Sequence, residues 1–127
     1  MKIEHIGLYV RDLPRAKEFF CRYFGCLAGE DYHNLRTDFQ SCFLRFEDGA
    51  RLELMTKPGL SDGDDSMSRF GYAHLAIRVG SPEVVDCLTD RLKEDGYAVI
   101  SGPRRTGDGY YESVVLDAEG NQIEITV

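Results

Sequence analysis

The sequence predicts an α+β fold made of two tandem copies of one unit, in which a strand is followed by a helix and then by a hairpin of two strands. Three observations lead to this prediction. A strand pattern that contains a histidine occurs twice, an amphipathic helix follows it each time, and two hairpin segments can be aligned without a gap. The chain has 127 residues, the length of one ordinary domain with a core of its own.

The first unit opens with the segment IEHIGLYV, whose residues alternate strictly between two faces. Ile6 and Leu8 share an apolar face and His5 lies on the other face, as in a half-buried strand. A helix is predicted next, because Asp12 can cap its first turn and Gly25 can end it. Its apolar positions are Ala16, Phe19, Phe20 and Phe24.

A polar segment that includes His33 comes after this helix, and we expect it to be a surface loop. The segments FQSCFLRF and RLELM then predict two strands. They are joined by EDGA, in which Asp-Gly is a strong hairpin signal. The next segment, KPGLSDGDDSMSR, has too few apolar residues to bury and is predicted to be a connector.

The second unit repeats this order. In YAHLAIRV, Leu75 and Ile77 share one face and His74 lies on the other. Ser81 can cap the helix that follows and Gly96 can end it. The apolar stripe of this helix is formed by Val84, Val85, Leu88 and Leu92.

The closing hairpins show the duplication most directly. When FLRFEDGARLELM is aligned with VVLDAEGNQIEIT, Gly49 matches Gly120 and Glu53 matches Glu124. The separations are 74 − 5 = 69 for the histidines and 124 − 53 = 71 for the glutamates. We therefore expect one domain with a first module at 1–56, a connector at 57–70 and a second module at 71–127.

Four side chains on the polar faces of these strands predict a metal site. Glu53 lies between Leu52 and Leu54, and Glu124 lies between Ile123 and Ile125, so each carboxylate points away from an apolar face. If the two modules form one curved sheet, both glutamates converge with both histidines on its inner side. The predicted ligand set is His5, Glu53, His74 and Glu124. Two imidazoles and two carboxylates suit one divalent ion of Zn, Ni, Mn, Co or Fe and leave positions open for substrate.

Composition and charge exclude several other classes. The formal net charge of −7 disfavours nucleic acid as a partner, because phosphate backbones are bound by clustered basic surfaces. No segment is long and apolar enough to span a membrane, and the N-terminal segment does not resemble a signal peptide. The four cysteines lack a C-x-x-C spacing and lie in apolar segments, so we expect buried, reduced thiols. A cytoplasmic protein is expected.

The segment SGPRRTGDGYYES is predicted to be a loop beside the substrate. Arg104 belongs to an adjacent pair of arginines that could anchor an anion. Tyr110 and Tyr111 cannot both face inward if they begin a strand, so one of them is expected to be a packing residue. We expect Tyr110 to contact the substrate.

With the duplicated histidines and glutamates and the closing motif GNQIEITV, the whole chain resembles the vicinal-oxygen-chelate superfamily, which includes glyoxalase I, fosfomycin-resistance proteins and extradiol dioxygenases. The resemblance implies two βαβββ modules around a metal site. The four-ligand set is most similar to bacterial glyoxalase I, since the other two groups typically use two histidines and one glutamate. It implies a lyase or isomerase in which the metal stabilises an enediolate. Glu124 would be the base and Glu53 its counterpart.

One position departs from the glyoxalase I pattern. That family usually has an arginine four residues after its first ligand, where it helps to hold a carboxylate of glutathione, and this chain has Tyr9. The duplicated position is Arg78. We therefore expect Tyr9 and Arg78 to contact a small substrate with vicinal oxygens, and we expect glutathione not to be the thiol.

Two other functions stay open at this point. One is thiol transfer to an epoxide, as in fosfomycin resistance, and the other is metal-free binding of a small molecule, as in drug-sequestering proteins of the same superfamily. The paired and swapped dimers known for this fold leave the assembly open. We expect a homodimer, because the two halves can close their cup within one chain or across a partner. Neither the substrate nor the identity of the metal follows from the residues.

Overall fold

The computed structural model describes residues 4–60, 73–107 and 109–127. These residues group into two compact units, one on either side of the segment 61–72. Each unit contains one strand–helix–three-strand module, and each module forms its own four-stranded mixed sheet. The predicted α+β fold with two βαβββ modules is confirmed. Residues 61–70 of the predicted connector lie outside the described residues.

In the first module the elements are β1 (His5–Tyr9), α1 (Leu13–Phe24), β2 (Leu27–Asn34), β3 (Phe39–Arg45) and β4 (Arg51–Thr56). The strand order is β1-β4-β3-β2, with β1 parallel to β4 and the other neighbours antiparallel. Leu44, Leu52 and Leu54 are fully buried, as strict alternation in β3 and β4 predicts.

Helix α1 begins and ends where the sequence predicts. The Asp12 carboxylate accepts a hydrogen bond from the backbone N–H of Arg15 at 2.9 Å, and Gly25 ends the helix in the left-handed conformation at φ 65°. Phe19 and Phe20 are buried as expected, whereas Tyr23 takes a core position that we expected Phe24 to fill. Phe24 is only half-buried, at the end of the helix.

In the second module the elements are β5 (Leu75–Arg78), α2 (Pro82–Glu94), β6 (Val99–Arg105), β7 (Tyr111–Leu116) and β8 (Gln122–Thr126). The strand order is β5-β8-β7-β6, with β5 parallel to β8. Each strand thus has the same place in its sheet as its counterpart in the first module. The buried residues of β7 and β8 include Val115, Ile123 and Ile125.

Helix α2 is capped by Ser81 as predicted, but its buried face differs from the prediction. Val85 and Leu92 are fully buried, whereas Val84 is exposed. Thr89 occupies the core position between them, since residues four and three apart share one helix face. Its hydroxyl is satisfied there, with the Val85 carbonyl and the Ser113 hydroxyl each at 2.6 Å. This pairing allows a polar side chain inside an apolar stripe.

Two strands lie where we expected loops. The polar segment after α1 forms β2, and much of SGPRRTGDGYYES forms β6 and the start of β7. Both β2 and β6 are edge strands, and most of their side chains are exposed. Strands without a buried face carry no hydrophobic alternation, so their sequences resemble loops. His33 lies in β2 and is exposed, which confirms its predicted surface position.

The hairpin turns before β4 and β8 share their backbone hydrogen bonds and differ in their side-chain contacts. Gly49 and Gly120 both have positive φ angles, 89° and 85°. In the first turn the Asp48 carboxylate accepts the backbone N–H of Ala50 at 2.9 Å. In the second turn the Asp117 carboxylate accepts the backbone N–H groups of Glu119 and Asn121, each at 2.9 Å. These turns set the register of the strands that follow them.

The cysteines agree with the prediction except at one position. All four are free, Cys26 and Cys42 are buried, and Cys21 is half-buried. Cys87 is exposed, because it lies on the outer face of α2. Among the described residues, no helix is both long enough and apolar enough to cross a membrane.

Candidate metal centre

Strands β1 and β4 position the first predicted pair of ligands. Gly7 is the register partner of Glu53, and His5 lies two residues before Gly7, so His5 and Glu53 share one face of the sheet. Leu52 and Leu54 are buried on the opposite face. The distance from His5 Nε2 to Glu53 Oε2 is 3.6 Å.

The second pair is built in the same way by β5 and β8. Ala76 is the register partner of Glu124, and His74 again lies two residues earlier, just before β5 begins. The distance from His74 Nε2 to Glu124 Oε2 is 3.2 Å. The accessibilities of the side chains also match, at 39% and 41% for the two histidines and 18% and 17% for the two glutamates. The duplication therefore extends from the residue types to their geometry.

The chemistry and spacing of each pair fit a divalent metal ion. Two ligand atoms that are each about 2.1 Å from one ion lie about 3.0–3.4 Å apart at the usual tetrahedral or octahedral angles. The measured separations of 3.2 and 3.6 Å are close to this range. Within either module, no three or more His, Cys, Asp or Glu side chains of the described residues form a group that could hold a metal ion. Each module thus contributes two of the four predicted ligands, and the complete set stays a prediction.

A carboxylate that the sequence analysis missed lies behind the first histidine. The Glu4 carboxylate contacts Nδ1 of His5, which must donate because a carboxylate can only accept, and it also accepts a hydrogen bond from Arg51. The hydrogen bond from His5 lowers the pKa of Glu4 below its ordinary value, and Arg51 acts in the same direction. The Nδ1 contact leaves Nε2 of His5 directed at Glu53. Such a partner fixes the tautomer and orientation of a metal-binding imidazole.

An aromatic ring completes the surroundings of His5. The Phe43 ring lies edge-on to the imidazole, with centroids 5.3 Å apart and an interplanar angle of 88°. The guanidinium of Arg51 lies 4.3 Å from the centroid of the same ring. Phe43 is the register partner of Glu53 in β3, so it belongs to the same face. The alternation of β3 could have suggested this position, since Phe43 falls between the buried Cys42 and Leu44.

The corresponding face of the second module is charged. Glu112 is the register partner of Thr126 in β8, two positions from Glu124, and therefore shares its face. The Arg104 guanidinium lies 3.6 Å from the Glu112 carboxylate. The Thr126 hydroxyl is buried and has no hydrogen-bond partner among the residues that the structure describes. Glu112 and Thr126 were missed because a carboxylate and a hydroxyl on a polar strand face have no distinctive sequence signal.

The predicted substrate contacts lie in different places. Arg78 in β5 is the register partner of Thr126 in β8, so it shares the face of Glu124. Arg104 in β6 is the register partner of Glu112, which lies on that same face. Tyr9 is exposed on the face of His5, and the Lys57 ammonium is 5.2 Å from the centroid of its ring. Each of these three residues therefore lies on the same sheet face as the predicted ligands of its own module.

Tyr110 lines a cavity of about 420 Å³ in the second module. None of the predicted metal ligands lines this cavity, whose lining includes Arg105, Tyr111 and Val127. The Tyr111 hydroxyl donates a hydrogen bond to Asp86 of α2 at 2.7 Å, and the bond raises the pKa of Tyr111 above its ordinary value. Tyr111 is half-buried, whereas Tyr110 is exposed.

The fold consists of two like modules, each with a histidine–glutamate pair, and comparison with known proteins identifies the family. The chain belongs to the Glyoxalase/Bleomycin resistance protein/Dioxygenase superfamily, whose family model matches residues 2–125. Members of this superfamily often bind a divalent metal ion. The chain is also 26% identical over 126 residues to the uncharacterized protein YqjT of Bacillus subtilis, with 97% of this chain and 96% of that protein covered.

Solved structures show the same fold. A possible glyoxalase from Bacillus cereus is 29% identical, with a TM-score of 0.72 over 100% of this chain and 99% of that chain. A trypanothione-dependent glyoxalase I from Leishmania major has a TM-score of 0.79 at 20% identity, covering 99% and 86%. Glyoxalase I from Zea mays has a TM-score of 0.79 at 21% identity over 98% of this chain. The chain spans only 44% of the maize enzyme.

Proposed function

We propose that this protein is a divalent-metal-dependent lyase or isomerase of the glyoxalase I type, acting on a small substrate with two adjacent oxygens. The observation that carries the proposal is the repeated histidine–glutamate pair. Both pairs have the same register offset, nearly equal accessibility, and nitrogen–oxygen separations of 3.6 and 3.2 Å. Inheritance alone would not require both copies to keep these residue types and their spacing, whereas a shared task would.

In this proposal His5, Glu53, His74 and Glu124 together hold one divalent ion. The two nitrogens and two oxygens suit Zn, Ni, Mn, Co or Fe and leave coordination positions open. When bound, the ion would act as a Lewis acid that lowers the free energy of negative charge developing on adjacent substrate oxygens. The other steps fall to the side chains of this chain.

Glu124 is the proposed base, which takes a proton from the substrate carbon beside a carbonyl and returns it to the neighbouring carbon. The surroundings of the two pairs support this choice over Glu53. His5 is braced by Glu4, so the first pair is held in place. His74 follows Ala73 and has no such carboxylate at Nδ1 among the described residues, which leaves the second pair freer to rearrange as Glu124 gains a proton.

Charged residues near Glu124 suit a substrate with an anionic group. Arg104 is already paired with Glu112, whereas Arg78 makes no ion pair with any described residue and is exposed. Arg78 is therefore the better candidate to hold a carboxylate or phosphate of the substrate. Tyr9, on the face of His5, replaces the arginine that usually helps glyoxalase I to bind glutathione. We accordingly propose a substrate other than the methylglyoxal–glutathione hemithioacetal.

The metal content of the protein tests this proposal directly. Protein purified without chelator should contain about one divalent ion per chain, measured by elemental analysis. His5→Ala and His74→Ala should each lose most of the metal, and His33→Ala is the matched control because His33 lies in edge strand β2. Absence of bound metal, together with no rise in Tm on addition of Zn, Ni, Mn, Co or Fe, would contradict the proposal. A cytoplasmic location and a homodimer remain predictions beside it.

A further inference from the structure

Two cysteines meet at the end of helix α1. The Cys26 thiol donates to the Cys21 sulfur, with the two sulfurs 3.6 Å apart. Gly25, in the left-handed conformation, reverses the chain between them. In this type of helix end, the residue four positions before the glycine and the residue directly after the glycine commonly form an apolar contact. Here two thiols occupy that contact.

The two thiols differ in their access to solvent. Cys21 is half-buried, whereas Cys26 is 5% exposed. Burial raises the pKa of the Cys26 thiol to about 12. Cys26 is therefore a protonated, shielded thiol beside an accessible one. All four cysteines lie within the described residues, and Cys42 donates to the Gly29 carbonyl at 3.5 Å instead of to a sulfur.

We propose that Cys21 and Cys26 form a reversible disulfide when the protein meets hydrogen peroxide. The Cys21 thiolate attacks the peroxide, the O–O bond breaks, and Cys21 becomes a sulfenic acid as hydroxide leaves. The Cys26 sulfur then attacks the Cys21 sulfur, the S–O bond breaks, and water leaves with the Cys26 proton. In total, two thiols and one hydrogen peroxide give one disulfide and two waters. This modification site does not depend on the proposed metal chemistry.

The geometry requires little movement. The sulfurs must approach from 3.6 Å to about 2.05 Å to form the bond. The bond would tie the last turn of α1 to the residue just before β2. It would therefore protect the end of this helix from fraying.

Peptide mapping after peroxide treatment tests the proposal, because trypsin cleaves between the two cysteines at Arg22. The folded protein should lose about 2 Da, and its digest should contain peptide 18–22 linked to peptide 23–36. Dithiothreitol should restore both free peptides. Peptide 37–45, with Cys42, should stay free. If peptide 18–22 remains reduced, carries a sulfinic acid or is linked to peptide 37–45, the proposal is wrong.

Variants separate the two roles. In Cys26→Ala, Cys21 should become a sulfenic acid that dimedone traps, with no linked peptide. In Cys87→Ser, the matched control with its exposed cysteine removed, the link should form as in the unmodified chain. Loss of the link in Cys87→Ser would overturn the assignment to Cys21 and Cys26. Equal dimedone labelling of Cys21 in Cys26→Ala and in the unmodified chain would overturn it too, because Cys26 would then not resolve the sulfenic acid.

Discussion

The Glu4 carboxylate accepts a hydrogen bond from Nδ1 of His5, and this contact directs Nε2 of His5 at Glu53. The second histidine has a different neighbour, since His74 follows Ala73. The two pairs are therefore alike in their ligands and different in what supports them. A carboxylate that holds Nδ1 fixes the orientation of a histidine ligand, and a histidine without one can move more freely.

Glu4→Gln should lower the affinity for the divalent ion by roughly 10- to 100-fold, because an amide is a weaker acceptor for the Nδ1–H of His5. Competition with a chelator of known affinity measures this loss. Glu47→Gln, in an exposed hairpin turn, should leave the affinity unchanged. Equal affinities for Glu4→Gln and the unmodified protein would show that Glu4 does not orient the ligand.

Glu124→Gln should reduce the turnover rate by roughly 10²–10⁴, because the amide keeps the shape of the side chain but cannot accept the proton. Some metal should remain bound, and elemental analysis of the same sample verifies it. Glu53→Gln should reduce the rate less and the metal content similarly. If Glu124→Gln retained full activity while His5→Ala lost it, thiol transfer with the metal as a Lewis acid would become the better proposal.

Turnover of the methylglyoxal–glutathione hemithioacetal should be weak or absent in the unmodified protein. Tyr9→Arg should raise kcat/KM for this substrate by about 10-fold or more, since one charge-assisted hydrogen bond contributes about 1.5–3 kcal/mol. Tyr9→Phe is the control, because it removes the hydroxyl without adding charge. A high kcat/KM for the unmodified protein would contradict the expectation drawn from Tyr9.

Thr89→Val should lower the free energy of unfolding by about 1–3 kcal/mol, because the Ser113 hydroxyl would lose its partner in the core. Adding Ser113→Ala should recover part of that loss, since the unpaired hydroxyl is then removed. Chemical denaturation of the two single variants and the double variant gives the coupling energy. Strictly additive losses would mean that the 2.6 Å contact contributes no net stability.

The parts of the fold that could be predicted are those with a buried face. Leu52 and Leu54 alternate with Glu53, so both the strand and the direction of the carboxylate followed from the period of two. Asp12 and Ser81 marked the helix starts because a capping side chain must satisfy backbone N–H groups. The edge strands β2 and β6 were missed. Most of their side chains are exposed, so their sequences need not alternate between apolar and polar residues.

The site was predicted where the duplication supplied a second copy to compare. His5 with Glu53 and His74 with Glu124 were identified in that way, and each pair is close in the structure. Glu4 had no counterpart, because the equivalent residue is Ala73. Tyr110 was expected near substrate from a segment that is largely strand, and it lines a cavity whose lining includes none of the four predicted ligands.

The hairpin turns at Gly49 and Gly120 have a consequence for which changes of chain length the protein can tolerate. Each turn sets the alternation of the strand after it, so one inserted residue would bring Glu53 or Glu124 to the helix side and expose the neighbouring leucines or isoleucines. Substitutions in these turns at positions other than the two glycines should therefore be tolerated far better than insertions or deletions. In a library of single-residue insertions, the two turns should appear as matched intolerant windows, 71 residues apart, the separation of Gly49 from Gly120.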